Sequence, residues 1–134
     1  MKTPKTRNGN TWTESQFNSF IKSMLRRGST RWGPKYACKK NARHPEKLPN
    51  DKGRLVFHSL CAGCGEIYPE TQCSVDHIDP VVDPHKGFIN WDNVIERLFC
   101  EEDGLQVLCK KCHDEKTKKE KAVDRERRRR EKSK

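Results

Sequence analysis

Two cysteine pairs with identical spacing constrain this chain more than any other feature. Cys61 and Cys64 form one C-x2-C pair, and Cys109 and Cys112 form a second pair after a gap of 44 residues. Two such pairs supply the four thiolates of a tetrahedral zinc site. Because hydrophobic residues make up 31% of the sequence and charged residues 36%, we expect a small core that needs such a cross-link.

Disulfide bonds are the main alternative use of the seven cysteines. Disulfides suit secreted proteins, but the first thirty residues contain no continuous apolar segment of a secretory signal. No run approaches the roughly 20 apolar residues that a transmembrane helix needs. We therefore expect a cytoplasmic protein with reduced cysteines and no membrane partner. Four further side chains are alternative zinc ligands but lack the paired spacing: Cys38, His58, Cys73 and Cys100.

The residues Cys109-Lys-Lys-Cys112-His113 also match the C-x-x-C-H pattern of c-type haem attachment. We expect no haem, because that attachment takes place on the exported side of a membrane and the surrounding sequence is too basic for a haem pocket. A thioredoxin-like redox pair would sit beside a βαβ pattern, which this sequence lacks. His113 therefore needs another explanation.

Charge is distributed unevenly along the chain. The formal net charge of +10 divides into +10 for residues 1–43, −7 for residues 44–115 and +7 for residues 116–134. Two basic segments that flank an acidic one suit a polyanionic partner, and nucleic acid is the polyanion that we expect. The cations predicted to contact its backbone are Lys22, Arg26, Arg27, Arg31, Arg127, Arg128, Arg129 and Arg130.

Hydrophobic periodicity and turn residues divide the chain into three segments. Residues 1–50 are predicted to be a basic helical arm, with a first helix capped by Thr13 and Gln16 and ended by Gly28. Residues 51–118 are predicted to hold short strands between the cysteine pairs, and residues 119–134 to form a basic helical tail. We therefore expect an α+β fold with N-terminal helices, a four-cysteine zinc site and a long basic C-terminal helix.

Three motifs in order resemble those of the HNH endonucleases, and most closely their small zinc-stapled phage forms. The motifs are CAGC at 61–64, VDHIDP at 75–80 and LQVLCKKCHDEKT at 105–117. The resemblance implies a ββα-metal finger that hydrolyses DNA phosphodiester bonds. It also implies a bacterial host cytoplasm as the location, and a role in genome packaging or gene mobility alongside a protein partner that the sequence does not identify.

The resemblance also assigns roles to individual residues. His77 matches the general base, while Asp76 and His113 match the ligands of a catalytic divalent ion, with Mg²⁺ expected and Mn²⁺, Ni²⁺ or Zn²⁺ as alternatives. An imidazole can accept a proton from water near neutral pH, which is what hydrolysis requires. In an ideal strand, however, Asp76 and His77 would point to opposite faces.

One position departs from the family pattern. Gly104 stands where the family usually has an asparagine that helps to orient the base histidine, and Asn90 or Asn93 is an alternative source of that contact. A different class of function also remains open at this point. A zinc-ribbon protein that binds nucleic acid without catalysis would contain the same cysteine pairs and the same basic segments.

Overall fold

The protein divides into two compact units in the computed structural model, which describes residues 2–133. The first unit ends at Trp32 and the second begins at Gly33. The basic arm predicted over residues 1–50 therefore spans this division. Among the described residues, no helix has the length and apolar composition needed to cross a bilayer.

The first unit is built around helix α1, Glu14–Ser29. Thr13 caps it, because its hydroxyl accepts a hydrogen bond from the Gln16 N–H at 3.2 Å and the Gln16 side chain accepts one from the Thr13 N–H at 2.8 Å. This confirms the predicted capping box. The helix continues one residue beyond Gly28, which we had expected to end it.

The second unit is a small α+β arrangement of short hairpins and three helices. Helix α2 is followed by two hairpins, β1–β2 and β3–β4, and then by β5, α3, β6 and α4. The bounds are α2 Gly33–Ala42, β1 Leu48–Pro49, β2 Leu55–Val56, β3 His58–Leu60, β4 Ile67–Pro69, β5 Cys73–His77, α3 Trp91–Leu98, β6 Leu105–Cys109 and α4 Lys110–Lys132.

The antiparallel pair β5–β6 lies at the centre of this unit. Its register places Asp76 opposite Gln106 and His77 opposite Leu105. On one side Cys38 of α2 packs with Leu105 and Val107 of β6, and Cys73 contributes to that core as well. Because β6 ends at Cys109 and α4 begins at the next residue, the strand pair leads directly into the long helix.

Candidate functional site

Four cysteine sulfurs meet at one end of the β5–β6 pair. Cys61 and Cys64 lie in the turn that joins β3 to β4, Cys109 ends β6 and Cys112 lies in the first turn of α4. The four sulfur atoms are all within 4.8 Å of one another. Four thiolates bound to zinc at about 2.3 Å lie about 3.8 Å apart, so the cluster has the composition and size of a structural zinc site.

Backbone hydrogen bonds to the Cys61 sulfur favour its ionised form, which is the form that binds a metal ion. The N–H groups of Gly63 and Cys109 each donate to the Cys61 sulfur at 3.3 Å. Burial opposes ionisation of Cys61, but hydrogen bonds from the backbone of Cys109, Cys64 and Gly63 and from the Cys112 side chain together outweigh it and lower the pKa of Cys61 to about 6. A hydrogen bond to Cys109 and burial raise the pKa of Cys112 to about 12. The Cys61 thiol therefore ionises readily. A bound zinc ion would displace the protons of the remaining thiols.

Gly63 lets the cysteine turn approach α4 closely. A Cβ atom at this position would lie 3.0 Å from the Cys112 sulfur and 3.1 Å from the Cys112 Cβ, so Cys112 would have to shift by a few tenths of an ångström. The small residue inside the first C-x2-C pair thus allows the two pairs to converge without displacing Cys112.

The alternative zinc ligands lie outside the cluster. Cys73 packs beside it, and burial raises the pKa of its thiol to about 11, so it remains protonated. Cys38 belongs to the other core beside Leu105, with Cys100 packed against it. The ring of His58 is hydrogen-bonded to the Val56 carbonyl at 3.0 Å. The paired spacing therefore identified the correct four sulfurs.

Asp76 and His113 come together on the face of the strand pair that α4 covers. Asp76 Oδ1 lies 3.8 Å from His113 Nε2, too far for a hydrogen bond. One ion with bonds of about 2.1 Å to each atom could span up to about 4.2 Å. One oxygen and one nitrogen donor at this separation could therefore bind the same divalent ion.

The second oxygen of Asp76 is held by two residues that sequence reasoning missed. Gln106 donates to Oδ2 at 3.1 Å, and the Lys116 ammonium lies 3.0 Å from the same oxygen. Lys116 also contacts Glu120 at 2.7 Å. Gln106 and Lys116 both bind Oδ2 of Asp76, whereas Oδ1 faces His113. A helical spacing of i, i+3 and i+7 for His113, Lys116 and Glu120 was the available sequence signal, whereas Gln106 required knowledge of the strand register.

His77 is held from a different direction. Its Nε2 lies 2.8 Å from the carbonyl oxygen of Leu98, at the end of α3, and its own carbonyl accepts a hydrogen bond from Lys116 at 2.7 Å. Because a carbonyl oxygen can only accept, Nε2 carries the ring hydrogen, and Nδ1 of the neutral ring is left as an acceptor. Nδ1 is therefore the atom able to take a proton.

The contact that orients His77 comes from backbone rather than from an asparagine. Asn90 caps α3 by accepting a hydrogen bond from the Asn93 N–H at 2.8 Å, so both residues support the helix whose last turn presents Leu98. Gly104 accepts a backbone hydrogen bond from Ile78. A Cβ atom at Gly104 would lie 3.0 Å from the Cys100 sulfur, so a larger residue there would have to displace the Cys100 side chain slightly.

The eight cations predicted to contact nucleic acid occupy two different units. Lys22, Arg26, Arg27 and Arg31 are in the first unit, and the other four lie near the end of α4. Arg128, Arg129 and Arg130 are exposed, whereas Arg127 is largely buried. Its guanidinium donates to the Pro84 carbonyl at 3.1 Å and pairs with Asp124 and Glu131. Arg127 thus ties α4 to the loop that precedes α3.

Replacing Arg127 by alanine should loosen that loop. A Cβ atom at Gly87 would lie 2.7 Å from the Arg127 guanidinium, so the loop packs directly on this side chain. We expect Arg127→Ala to lower the midpoint of thermal unfolding by about 3–6 °C. The matched variant Arg128→Ala removes the same charge from a side chain that is 70% exposed, and we expect it to leave the midpoint unchanged. Equal midpoints for the two variants would contradict the structural role of Arg127.

No protein-family model, curated protein or solved structure matched the chain.

Proposed function

We propose that this protein is a metal-dependent endonuclease that hydrolyses phosphodiester bonds in DNA. The observation that carries the proposal is the separation of 3.8 Å between Asp76 Oδ1 and His113 Nε2. These are two metal-binding atoms that are not hydrogen-bonded to each other. They lie next to a strand end at which His77 keeps one ring nitrogen available as a proton acceptor.

The elements around the site support the HNH resemblance. Strands β5 and β6 pair with each other across the connection that contains α3, and β6 runs directly into α4, so the three elements form a ββα unit. Asp76 and His77 lie at the end of its first strand, and His113 lies in the first turn of its helix. We propose that zinc bound by the four cysteines fixes the junction between β6 and α4. The metal would then act as a structural brace, while the catalytic groups lie on the adjacent face.

The residues have distinct roles in the proposed reaction. His77 Nδ1 accepts a proton from the attacking water, while the Leu98 carbonyl fixes the orientation of the ring. Asp76 and His113 hold the divalent ion, which stabilises negative charge on the phosphate and on the leaving oxygen. Gln106 and Lys116 keep Asp76 in position by binding its other oxygen. The basic segments bind the DNA backbone and give little sequence preference.

A second function is favoured by one observation. The Lys116 ammonium already lies against Asp76, and its contacts with Glu120 and Asp76 outweigh burial and raise its pKa. In a nucleic-acid-binding protein without catalysis, Lys116 would be sufficient to balance the charge of Asp76. Cleavage in the presence of a divalent ion distinguishes the two functions.

Plasmid nicking tests the proposed activity directly. We expect purified protein containing zinc to convert supercoiled plasmid to nicked or linear DNA when Mg²⁺, Mn²⁺ or Ni²⁺ is added. Asp76→Asn should lose this activity while retaining zinc, because the variant removes a ligand of the catalytic ion and leaves the four cysteines intact. Absence of cleavage with every divalent ion, together with retained DNA binding, would support the binding protein instead.

A further inference from the structure

An open groove lies between α2, the β1–β2 hairpin and the start of β5. The groove has a volume of about 640 Å³, within the roughly 300–1,000 Å³ typical of ligand sites. We call it the Phe57 groove, and its walls include Lys39, Lys47, Leu55, Phe57, Thr71 and Cys73. A second depression of about 390 Å³ is lined by Lys110 and His113 and shares Thr71 and Cys73 with the groove. The two depressions are therefore neighbours on the surface.

One side of the Phe57 groove carries positive charge. Lys39 and Lys47 are exposed, and the Lys47 ammonium lies 4.7 Å from the centre of the Phe57 ring, within the range of a cation–π contact. Glu70 is the acid in the lining, but Arg43 binds both of its carboxylate oxygens at 2.9 and 3.0 Å. Because that pair is neutral, the two lysines determine the charge of the groove.

The other side of the groove exposes large apolar side chains. Leu55 is 63% exposed and Phe57 is 42% exposed, and the Arg43 guanidinium covers part of the Phe57 ring at 4.1 Å from its centre. Exposed aromatic and apolar surface beside cations is the combination that binds single-stranded nucleic acid, because unpaired bases stack on the apolar side while cations bind the phosphates. The bases of an intact duplex are stacked on one another and cannot enter such a groove.

We propose that the Phe57 groove binds an unpaired DNA segment that continues from the phosphate at His113. Lys110 and His113 line the second depression and Lys47 lines the groove, so the strand runs past Thr71 and Cys73. This inference rests on the proposed nuclease function for the direction of the strand. Binding of the unpaired segment itself does not depend on catalysis.

Fluorescence anisotropy with tailed and blunt duplexes tests the groove. The DNA would carry no tail, or a 5′ or 3′ tail of about six unpaired nucleotides, and binding would be measured without added divalent ion. We expect one tail polarity to tighten binding about tenfold over the blunt duplex. Lys39→Gln/Lys47→Gln should remove that gain and reduce the salt slope of binding by about 1.4, since each phosphate contact on a single strand contributes about 0.7.

The matched control is Lys52→Gln/Lys86→Gln, which removes the same charge from two exposed lysines outside the groove lining. We expect this control to keep the tail effect. Zinc content and the unfolding midpoint of both variants establish that they are folded. Equal binding of tailed and blunt DNA, or a tail effect that survives in Lys39→Gln/Lys47→Gln, would overturn the groove assignment.

The same experiment separates the groove from the proposed nuclease function. Plasmid cleavage without a tail effect would support the nuclease function and would contradict the assignment of the groove. A tail effect without cleavage would support the groove as a single-strand binding site and would contradict the proposed nuclease function.

Discussion

Replacement of His77 by alanine is expected to lower the rate of divalent-dependent plasmid cleavage by about 100- to 10,000-fold, the usual contribution of a general base. The Leu98 carbonyl fixes the ring through Nε2, so removal of the imidazole takes away Nδ1 as the proton acceptor. The Lys116 contact to the His77 carbonyl uses backbone and is available to alanine as well. DNA binding and zinc content should therefore persist.

His85 provides the matched control for this variant. It is an exposed loop histidine, and its backbone N–H, rather than its ring, bonds to Asp83. His85→Ala should cleave plasmid at the wild-type rate. Cleavage by His77→Ala at an unchanged rate would show that the general-base assignment is wrong, and loss of zinc from this variant would show that its effect is structural.

Removal of one cysteine from the four-thiol cluster is expected to have the largest effect on folding. Zinc sites in finger peptides contribute about 10–16 kcal/mol, as much as or more than the roughly 5–15 kcal/mol that stabilises a typical domain. Cys109 is 3% exposed and its N–H also donates to the Cys61 sulfur. We therefore expect Cys109→Ala to lose bound zinc and cooperative thermal unfolding, as measured by metal analysis and circular dichroism.

A cysteine outside the cluster controls for the loss of a thiol. Cys38 is also buried, at 7% exposure, but it packs against Leu105 and Val107 rather than in the four-cysteine cluster. Cys38→Ala should retain one equivalent of zinc and a cooperative transition. Retention of a full equivalent of zinc by Cys109→Ala would contradict the assigned ligand set.

Much of the fold followed from local sequence patterns. The capping box at Thr13 marked the start of α1, and the stretch free of glycine and proline after Cys112 indicated the long final helix. These features depend on contacts between residues close in sequence, which is why a pattern can identify them. Helix α1 ends one residue later than the glycine predicts, because Gly28 does not adopt a left-handed backbone conformation and the helix runs to Ser29.

Local sequence patterns did not predict contacts between residues that are far apart in the chain. Leu98 holds His77 through its carbonyl, which every residue possesses, so no side-chain motif marks it. The sequence also does not predict that Arg127 binds the loop before α3, because it is one of four consecutive arginines with no feature that distinguishes it. Only the position of the loop beside α4 distinguishes Arg127 from its neighbours.

The sequence by itself determined which four sulfurs form the cluster, because the repeated C-x2-C spacing encodes the geometry of each half. It also predicted short strands between the two cysteine pairs and a long basic helix after them. Tertiary structure alone decided that Asp76 turns one oxygen toward His113 and the other toward Gln106 and Lys116. That choice depends on the β5–β6 register and on where α4 packs. Both are set by long-range packing, which local spacing does not specify.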